Sequence, residues 1–179
     1  AGEVKDFDAR QYMDPKAVRI YPRGTQFACA AYVMAWEDAG KPRFDTCRTD
    51  VIIGAAQISF DAVEEGVGKS PDALKTYDMR LNPASLLKTT ISVSAAAVAG
   101  LAQVDGHVLT ISSACTSGID AIALAADRIR SGLSSAAVCG GVDTVVTKLV
   151  LNAFCRAGML CTRNDTAAVA PFDERHTKG

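Results

Sequence analysis

The chain has 179 residues, of which 49% are hydrophobic and 22% charged, and its formal net charge at pH 7 is −1. This size and composition suit a globular chain with one core, and no basic stripe is available to neutralise the phosphates of a nucleic acid. Charged residues or glycines interrupt every apolar stretch, so we expect no membrane-spanning segment. The first residues lack the basic and apolar regions of a secretory signal, and we therefore expect a soluble cytoplasmic protein.

The predicted elements of the first half alternate between helices and a short apolar strand. A helical period runs from about Thr25 to Ala39 and stops at a Gly-Lys-Pro turn. Val51–Gly54 is fully apolar, which suits a strand buried on both faces. Short helices are predicted over residues 59–65 and 72–78, the second within a polar excursion over residues 66–82.

The second half continues the same alternation. Helices are predicted at Ile91–Gln103, Ile119–Ile129 and Thr147–Ala157, and strands at Val108–Ser112 and Ala136–Cys139. Strands that alternate with helices indicate a layered α/β fold with a largely parallel sheet.

Six cysteines are spread along the chain, at positions 29, 47, 115, 139, 155 and 161. No Cys-x-x-Cys pair occurs among them, and the two histidines, His107 and His176, lie outside any recognisable ligand spacing. Cys29 and Cys139 stand inside apolar runs, which is typical of small core residues. The sequence therefore predicts no metal site and no other cofactor.

Cys115 stands at the predicted bend between a buried strand and the start of a helix. Backbone N–H groups and the helix dipole stabilise a thiolate at such a position. Its neighbours are all small, and a cap formed by Thr116 or Ser117 would leave other N–H groups to bind a ligand oxygen. Cys115 is thus a candidate nucleophile, and a small buried residue in a tight bend is the alternative.

A cysteine nucleophile usually needs a base or a charged partner. His107 is predicted at the opposite end of the strand, roughly 17 Å or more away at about 3.3 Å per residue, and is expected to be a loop residue. His176 lies in the polar tail, where its position cannot be derived. The chemistry is therefore predicted to be incomplete within this chain.

The segment Ser113–Gly118 resembles the active-site cysteine motif of the elongating β-ketoacyl-acyl carrier protein synthases, within the thiolase-like superfamily. The resemblance implies a thiolase-like α/β/α fold with a mostly parallel sheet. Residues 1–179 would be an incomplete N-terminal half of that fold, without the family's first strand and its C-terminal half. Further similar segments follow in the family's order: Val4–Asp8, Tyr12–Met13, Gln26–Ala28, Glu37–Gly40, Gly140–Asp143, Thr162–Asp165 and Pro171–Asp173.

The resemblance also implies a reaction, a decarboxylative Claisen condensation in fatty acid or polyketide synthesis. Cys115 would carry the acyl group as a thioester, and its backbone N–H would donate to the oxyanion. Malonyl carrier protein would lose its carboxylate and attack that thioester. The family's catalytic histidines and lysine lie in its second half, so this chain alone is expected to be inactive.

An acyl carrier protein, loaded with acyl or malonyl groups, is the implied partner. Lys16 and Arg19 align with basic residues that the family uses to dock this acidic protein, and Arg80 aligns with a second such position. Solvated surface charge is the alternative for all three. The family also implies a homodimer, with a heterodimer as the alternative.

Gln57 departs from the glycine or aliphatic residue with which the family lines its acyl pocket. A buried, unpaired amide costs about 1–3 kcal/mol, which disfavours a long alkyl chain beside it. The resemblance therefore implies a short, polar or polyketide-like acyl group, unless Gln57 turns outward.

Three other functions compete with this one. A non-catalytic partner subunit of the chain-length-factor type would share the fold, but such subunits typically lack the cysteine. A cysteine hydrolase would need a glycine two residues before its nucleophile, where Ser113 stands. In a purely structural domain, replacement of Cys115 would change nothing measurable.

Overall fold

The computed structural model of the protein describes residues 3–57, 59–69, 84–161, 163 and 172–174. The chain divides into two compact units, one comprising Val4–Thr144 and the other Ala1–Glu3 with Val145–Gly179. The larger unit contains the sheet and Cys115. The short helix predicted over residues 72–78 lies outside the described residues.

Within the described residues, three strands form a parallel sheet in the order β2-β1-β3. In register, Val51 of the central strand lies opposite Val108 on one side and Val138 on the other. This pairing confirms the predicted parallel sheet. The strands are β1 at Thr49–Gly54, β2 at Val108–Ile111 and β3 at Ala136–Gly141.

The central strand begins two residues before the predicted apolar run. Thr49 and Asp50 are both fully buried, although their side chains are polar. Thr49 Oγ1 donates to the carbonyl oxygen of Asp45 at 2.7 Å, and Asp50 accepts several hydrogen bonds described below. Buried polar groups are tolerated when they are paired in this way, so an apolar pattern alone underestimates the strand.

The predicted helices that the structure describes are present to within a few residues, but the helix Phe60–Lys69 extends four residues into the stretch predicted to be irregular, and the short helix Ser85–Lys88 was not predicted. Helix α2 begins at Arg23, two residues earlier than predicted, and helix α5 ends at Ala102 because Gln103 adopts a left-handed conformation with φ 54°. No helix of the described residues is both long and apolar enough to cross a membrane. The bounds are α1 at Pro15–Ile20, α2 at Arg23–Asp38, α3 at Phe60–Lys69, α4 at Ser85–Lys88, α5 at Val93–Ala102, α6 at Ser117–Arg130 and, in the smaller unit, α7 at Lys148–Arg156.

Two apolar layers cover the faces of the sheet in the larger unit. Because side chains alternate along a strand, Val51 and Ile53 pack on one side with α2 and α5. Ile52 packs on the other side against Ala121 and Ala125 of α6. The result is the expected α/β/α layering, with α6 held directly against the sheet.

Candidate active site

Cys115 lies where β2 leads into α6, at the carboxyl end of the parallel strands. It occupies the middle of a one-turn 3₁₀ helix, Ala114–Thr116, which continues directly into α6 at Ser117. Its side chain is exposed to solvent. Within this chain the bend leaves the sulfur accessible, which does not fit the alternative of a small buried packing residue.

The turn that presents Cys115 contains a strained backbone. Ala114, immediately before it, has φ 56°, in the left-handed region. For a residue with a Cβ this conformation costs about 1–2 kcal/mol. An alanine gives no sequence signal for such a conformation, so the strain was not predictable from the motif.

Neither predicted cap bonds the first amides of the helix. Thr116 stands at the N-cap of α6 but makes no side-chain capping hydrogen bond. The hydroxyl of Ser117 instead accepts from the amide of Ser113 at 3.0 Å and donates to the carbonyl of Ala114 at 2.6 Å. Both hydroxyls therefore bind within the turn, and the capping prediction is wrong.

The carboxylate of Asp120, in the first turn of α6, lies within hydrogen-bonding distance of hydroxyl groups on both sides of Cys115. Ser113 Oγ donates to its Oδ2 atom, and Thr116 Oγ1 lies 3.0 Å from the same atom. Thr116 Oγ1 is also 2.9 Å from the carbonyl oxygen of Ser113, and its single proton serves one acceptor at a time. Sequence reasoning did not identify this network, although the Thr116–Asp120 spacing of four residues on a helix is a usable signal.

Three glycines, Gly54, Gly118 and Gly141, allow the start of α6 to pack closely on the sheet. A Cβ atom added to Gly54, the last residue of β1, would lie 2.2 Å from the carbonyl oxygen of Ser117. A Cβ atom added to Gly141, the last residue of β3, would lie 2.8 Å from Cα of Gly118. Only glycine allows backbone to approach backbone this closely, so the helix start is fixed by direct contact with two strand ends.

Asp143 ties together the segments that follow β1 and β3. Its carboxylate accepts hydrogen bonds from the amides of Ala56 at 3.1 Å and Gln57 at 2.9 Å. The sequence singled out Gly140–Asp143 only as part of a resemblance, and the hydrogen bonds give its acidic residue a physical role. The backbone of Gln57 is thereby held at the same edge of the sheet as Cys115.

Gln57 also lines a small, partly open depression of about 20 Å³, room for about one water molecule, and Cys115 is not among its lining residues. Thr25, Ser94 and Asp143 are among its other lining residues. Thr25 Oγ1 and Ser94 Oγ are buried and lie 2.9 Å apart, within hydrogen-bonding distance. Gln57 is half-buried among polar neighbours, and its role in an acyl pocket stays a prediction.

A second polar cluster lies at the amino end of the same strands, around the buried carboxylate of Asp50, which is 1% exposed. Burial alone would raise the pKa of this carboxyl, but its hydrogen bonds outweigh the burial and hold the pKa below its ordinary value. The sequence prediction missed the cluster because its members are distant in the chain. The donors are Arg128 Nε at 2.5 Å, the amide of His107 at 2.9 Å and the hydroxyl of Ser134.

His107 belongs to this second cluster and not to the surroundings of Cys115. It precedes β2, at the opposite end of that strand from the cysteine, as predicted. Its side chain is 66% exposed, and its Nδ1 atom lies 2.9 Å from Nη2 of Arg128. The second histidine, His176, lies outside the described residues.

The proposed docking residues are placed only in part. Lys16 and Arg19 lie on the short helix α1 and are both exposed. The amide of Lys16 bonds the capping carboxylate of Asp14 at 2.7 Å, which leaves its side chain out of the cap. Arg80 lies outside the described residues, so its docking role stays a prediction.

The other cysteines differ from Cys115 in their surroundings. Cys29 is buried in the core, as predicted, and burial raises the pKa of its thiol to about 11. Cys139 is half-buried against the α6 layer, and burial raises its pKa as well. In the part of the chain that the structure describes, no group of three or more His, Cys, Asp or Glu residues could hold a metal ion.

Comparison with known proteins identifies the family. A family model described as the β-ketoacyl synthase N-terminal domain matches residues 1–179. The 3-oxoacyl-[acyl-carrier-protein] synthase 2 of Vibrio harveyi is 32% identical over 182 residues, which cover 97% of this chain and 42% of that protein. The chain thus spans less than half the length of this relative.

Two solved structures share the fold. An ishigamide ketosynthase/chain length factor has a TM-score of 0.79 at 22% identity and covers 89% of this chain and 40% of that one. A type II polyketide synthase acyl-carrier protein in complex with its ketosynthase has a TM-score of 0.73 at 20% identity and covers 88% and 45%. They confirm the thiolase-like fold implied by the motif. With the family model matching throughout, the chain belongs to the β-ketoacyl synthase family, as a fragment of its N-terminal domain.

Proposed function

We propose that this chain is part of a β-ketoacyl synthase in which Cys115 is the nucleophile of a decarboxylative Claisen condensation. The observation that carries the proposal is the position of the Cys115 sulfur, exposed in this chain, on the turn at the start of α6. Helix α6 has 14 residues, so its N-terminus offers a substantial dipole and amide N–H groups to developing negative charge.

In this reaction the acyl group is transferred twice, first to the Cys115 sulfur and then to the malonyl-derived carbon, and both attacks occur at the acyl carbonyl carbon. The Cys115 thiolate attacks the thioester of an acyl carrier protein, and the carrier's sulfur leaves as a thiolate that takes up a proton. Malonyl carrier protein then loses CO₂, and the resulting enolate carbon attacks the Cys115 thioester. The new carbon–carbon bond yields a β-ketoacyl carrier protein and returns the cysteine thiol. In both transfers the Cys115 amide would donate to the carbonyl oxygen as it gains charge.

The remaining catalytic groups belong to the part of the protein that this chain does not contain. The chain covers 42% of the Vibrio harveyi relative, and residues 1–179 therefore form part of the N-terminal domain. Exposed apolar side chains on α6 are consistent with this, because Ile119 is 72% exposed and Ile122 is 52% exposed. We expect the second half of the same protein to cover this helix face and to supply the catalytic histidines and lysine.

The acyl group is proposed to be short, polar or polyketide-like. Gln57 contributes to a lining that also contains Thr25, Ser94 and Asp143. Thr25 and Ser94 lie within hydrogen-bonding distance of each other and Asp143 binds backbone amides, so the argument concerns the side-chain amide of Gln57. A long alkyl chain that separated this amide from water would cost about 1–3 kcal/mol. Transfer of acyl groups of increasing length is the direct measurement, and a preference for long saturated chains would contradict the proposal.

The acyl carrier protein is proposed to dock on α1. Lys16 and Arg19 are exposed and three residues apart, and one structural neighbour is a ketosynthase in complex with a carrier protein. Charge reversal of both residues should raise KM for carrier-bound substrate with little change in kcat. Lys41→Glu is the matched control, because Lys41 is exposed and already paired with Glu37 at 2.9 Å. An equal KM in both variants would contradict docking on α1.

A cytoplasmic homodimer is the proposed assembly, on the strength of the family resemblance. The mass of the full-length protein in solution, measured by light scattering, tests it. A monomer at micromolar concentration would exclude the homodimer, and a stable complex formed only with a second, different ketosynthase would indicate a heterodimer.

Transfer of the acyl group itself provides the decisive experiment. The full-length protein is incubated with acyl carrier proteins that carry acyl groups of different lengths, and intact mass reports the adduct. The adduct should form on the native protein and disappear in Cys115→Ala. Cys47→Ala and Cys155→Ala are the controls, because both of these cysteines are also exposed. The adduct should persist in both of these variants.

The same experiment separates the proposal from its alternative. A native full-length protein that takes up no acyl group would favour a non-catalytic subunit of the chain-length-factor type. The 179-residue chain alone is expected to show no condensation, and turnover by it would contradict the assignment of the missing catalytic groups to the second half.

A further inference from the structure

The turn around Cys115 adopts a conformation that its own residues disfavour. Ala114 has a left-handed backbone at φ 56°, a region that residues with a Cβ avoid. Such a conformation persists only where the surroundings hold it in place. Contacts with neighbouring residues must therefore hold this turn.

Hydroxyl groups on both sides of the cysteine supply most of these contacts. Ser113 lies two residues before Cys115, and its hydroxyl donates to the carboxylate of Asp120. Thr116 lies one residue after Cys115, and its hydroxyl alternates between the same carboxylate at 3.0 Å and the carbonyl oxygen of Ser113 at 2.9 Å. Ser117 closes the same turn through the amide of Ser113 and the carbonyl of Ala114. The carboxylate thus bridges the two ends of the segment that carries the nucleophile.

We propose that Asp120 is a positioning residue that fixes the Cys115 turn by binding the hydroxyls of Ser113 and Thr116 together. This inference rests on the proposed role of Cys115 as the acyl-accepting nucleophile. Asp120 does not act on the substrate; it holds the amide and sulfur of Cys115 in the geometry that acyl transfer needs.

Asp120 suits this role for two physical reasons. Hydrogen bonds from hydroxyls to a carboxylate are stronger than those between neutral groups, because the acceptor is charged. Asp120 also lies in the first turn of α6, where the helix dipole interacts favourably with a negative charge. The acceptor of these hydroxyls thus belongs to the helix that rests on the sheet.

The test compares Asp120→Ala and Asp120→Asn in the full-length protein with a matched control, Asp127→Ala. Asp127 lies seven residues later on the same helix, and its carboxylate makes an exposed ion pair with Arg130 at 3.2 Å. Asp120→Ala should slow acyl transfer to Cys115 by about tenfold, because small displacements of reacting groups have large effects on rate. Asp120→Asn should retain more of the rate than Asp120→Ala, because its amide oxygen can still accept from the Ser113 hydroxyl although it carries no charge. Asp127→Ala should match the wild type.

Alkylation by iodoacetamide separates positioning from a general loss of folding. Alkylation needs the sulfur but no oxyanion site, so its rate at Cys115 should change less than about twofold in Asp120→Ala. An equal loss of both rates would indicate a damaged fold and would overturn the inference. Equal acyl-transfer rates in Asp120→Ala and Asp127→Ala would also overturn it, as would Asp120→Asn behaving like Asp120→Ala.

Amide hydrogen exchange gives a readout that does not depend on the reaction. Peptides that cover residues 113–118 should exchange faster in Asp120→Ala than in wild type or Asp127→Ala, because the turn opens more often. If the wild type accepted no acyl group, the proposed function would fail while this measurement would still report on the turn. Unchanged exchange in Asp120→Ala would overturn the role of Asp120 alone.

Discussion

The two ends of helix α6 contact the same sheet in different ways, the first through backbone contacts and the second through a buried ion pair. At its start, glycine backbones and hydroxyl groups surround an exposed thiol at the carboxyl ends of the strands. At its last turn, Arg128 meets the buried carboxylate of Asp50 at the amino ends of the strands. The first end leaves polar backbone near solvent, and the second removes a charged pair from solvent almost completely.

This difference shows how one helix can carry both stability and chemistry. A buried charge that is fully hydrogen-bonded fixes geometry, but it leaves no room for a ligand. The glycine contacts fix geometry without filling the space above Cys115. The fold therefore confines its closed polar cluster to the edge of the sheet away from the candidate site.

The largest expected effect on stability comes from breaking the Asp50 cluster at the last turn of α6. Arg128→Ala should lower the free energy of unfolding by about 3–5 kcal/mol, because it leaves the Asp50 carboxylate buried without its charged partner. Urea denaturation of the full-length protein measures this. The control is Arg130→Ala, whose exposed partner is Asp127, and a loss within about 1 kcal/mol is expected there. Similar losses in the two variants would show that burial of Asp50 is not the deciding factor.

A smaller loss of stability is expected from Gly54→Ala, which changes the contact between β1 and the start of α6. The added Cβ would collide with the carbonyl of Ser117, so α6 must move away from β1 at a cost of about 1–3 kcal/mol. Acyl transfer to Cys115 should fall by about tenfold or more, since the turn moves with the helix. Gly100→Ala on α5 meets no atom within 4 Å and should raise stability by about 0.5–1 kcal/mol. Unimpaired transfer in Gly54→Ala would contradict the importance of this contact.

The smallest expected effect appears on acidification. The pKa of Asp50 is lowered in the folded protein, so its contribution to stability is full above the unfolded value of about 3.9 and is lost as pH falls through the lower folded value. The stability difference between wild type and Asp50→Asn should therefore be constant near neutral pH and shrink below about pH 4. Melting temperatures of both proteins between pH 3 and 7 measure this. A difference that grows on acidification would show that the carboxyl is not stabilised in its charged form.

The sequence predicted those features that local patterns encode. The apolar run Val51–Gly54 predicted the central strand, and the Ser113–Gly118 motif placed Cys115 at the end of a strand and the start of a helix. The start of β1 was missed because Asp50 finds its donors 57 to 84 residues later in the chain. No local pattern reports a pairing over that distance.

Details of the candidate site were harder to predict for a related reason. The left-handed Ala114 carries no sequence signal, since alanine favours other conformations. The need for glycine at Gly54 depends on a helix that begins more than sixty residues later. The roles of Lys16, Arg19, Arg80 and Gln57 came from the family resemblance and stay predictions.

The contact of Gly118 with Gly141 has a mechanical consequence for α6. Together with the buried side chains of Ala121 and Ala125 and the ion pair of Arg128 with Asp50, this contact anchors α6 to the sheet at its start, middle and end. Arg128 lies ten residues after Gly118, about 15 Å along the axis. We therefore expect slow amide hydrogen exchange from the first turn of α6 to its last. The turn that carries Cys115 is thereby attached to a helix that is held at both of its ends.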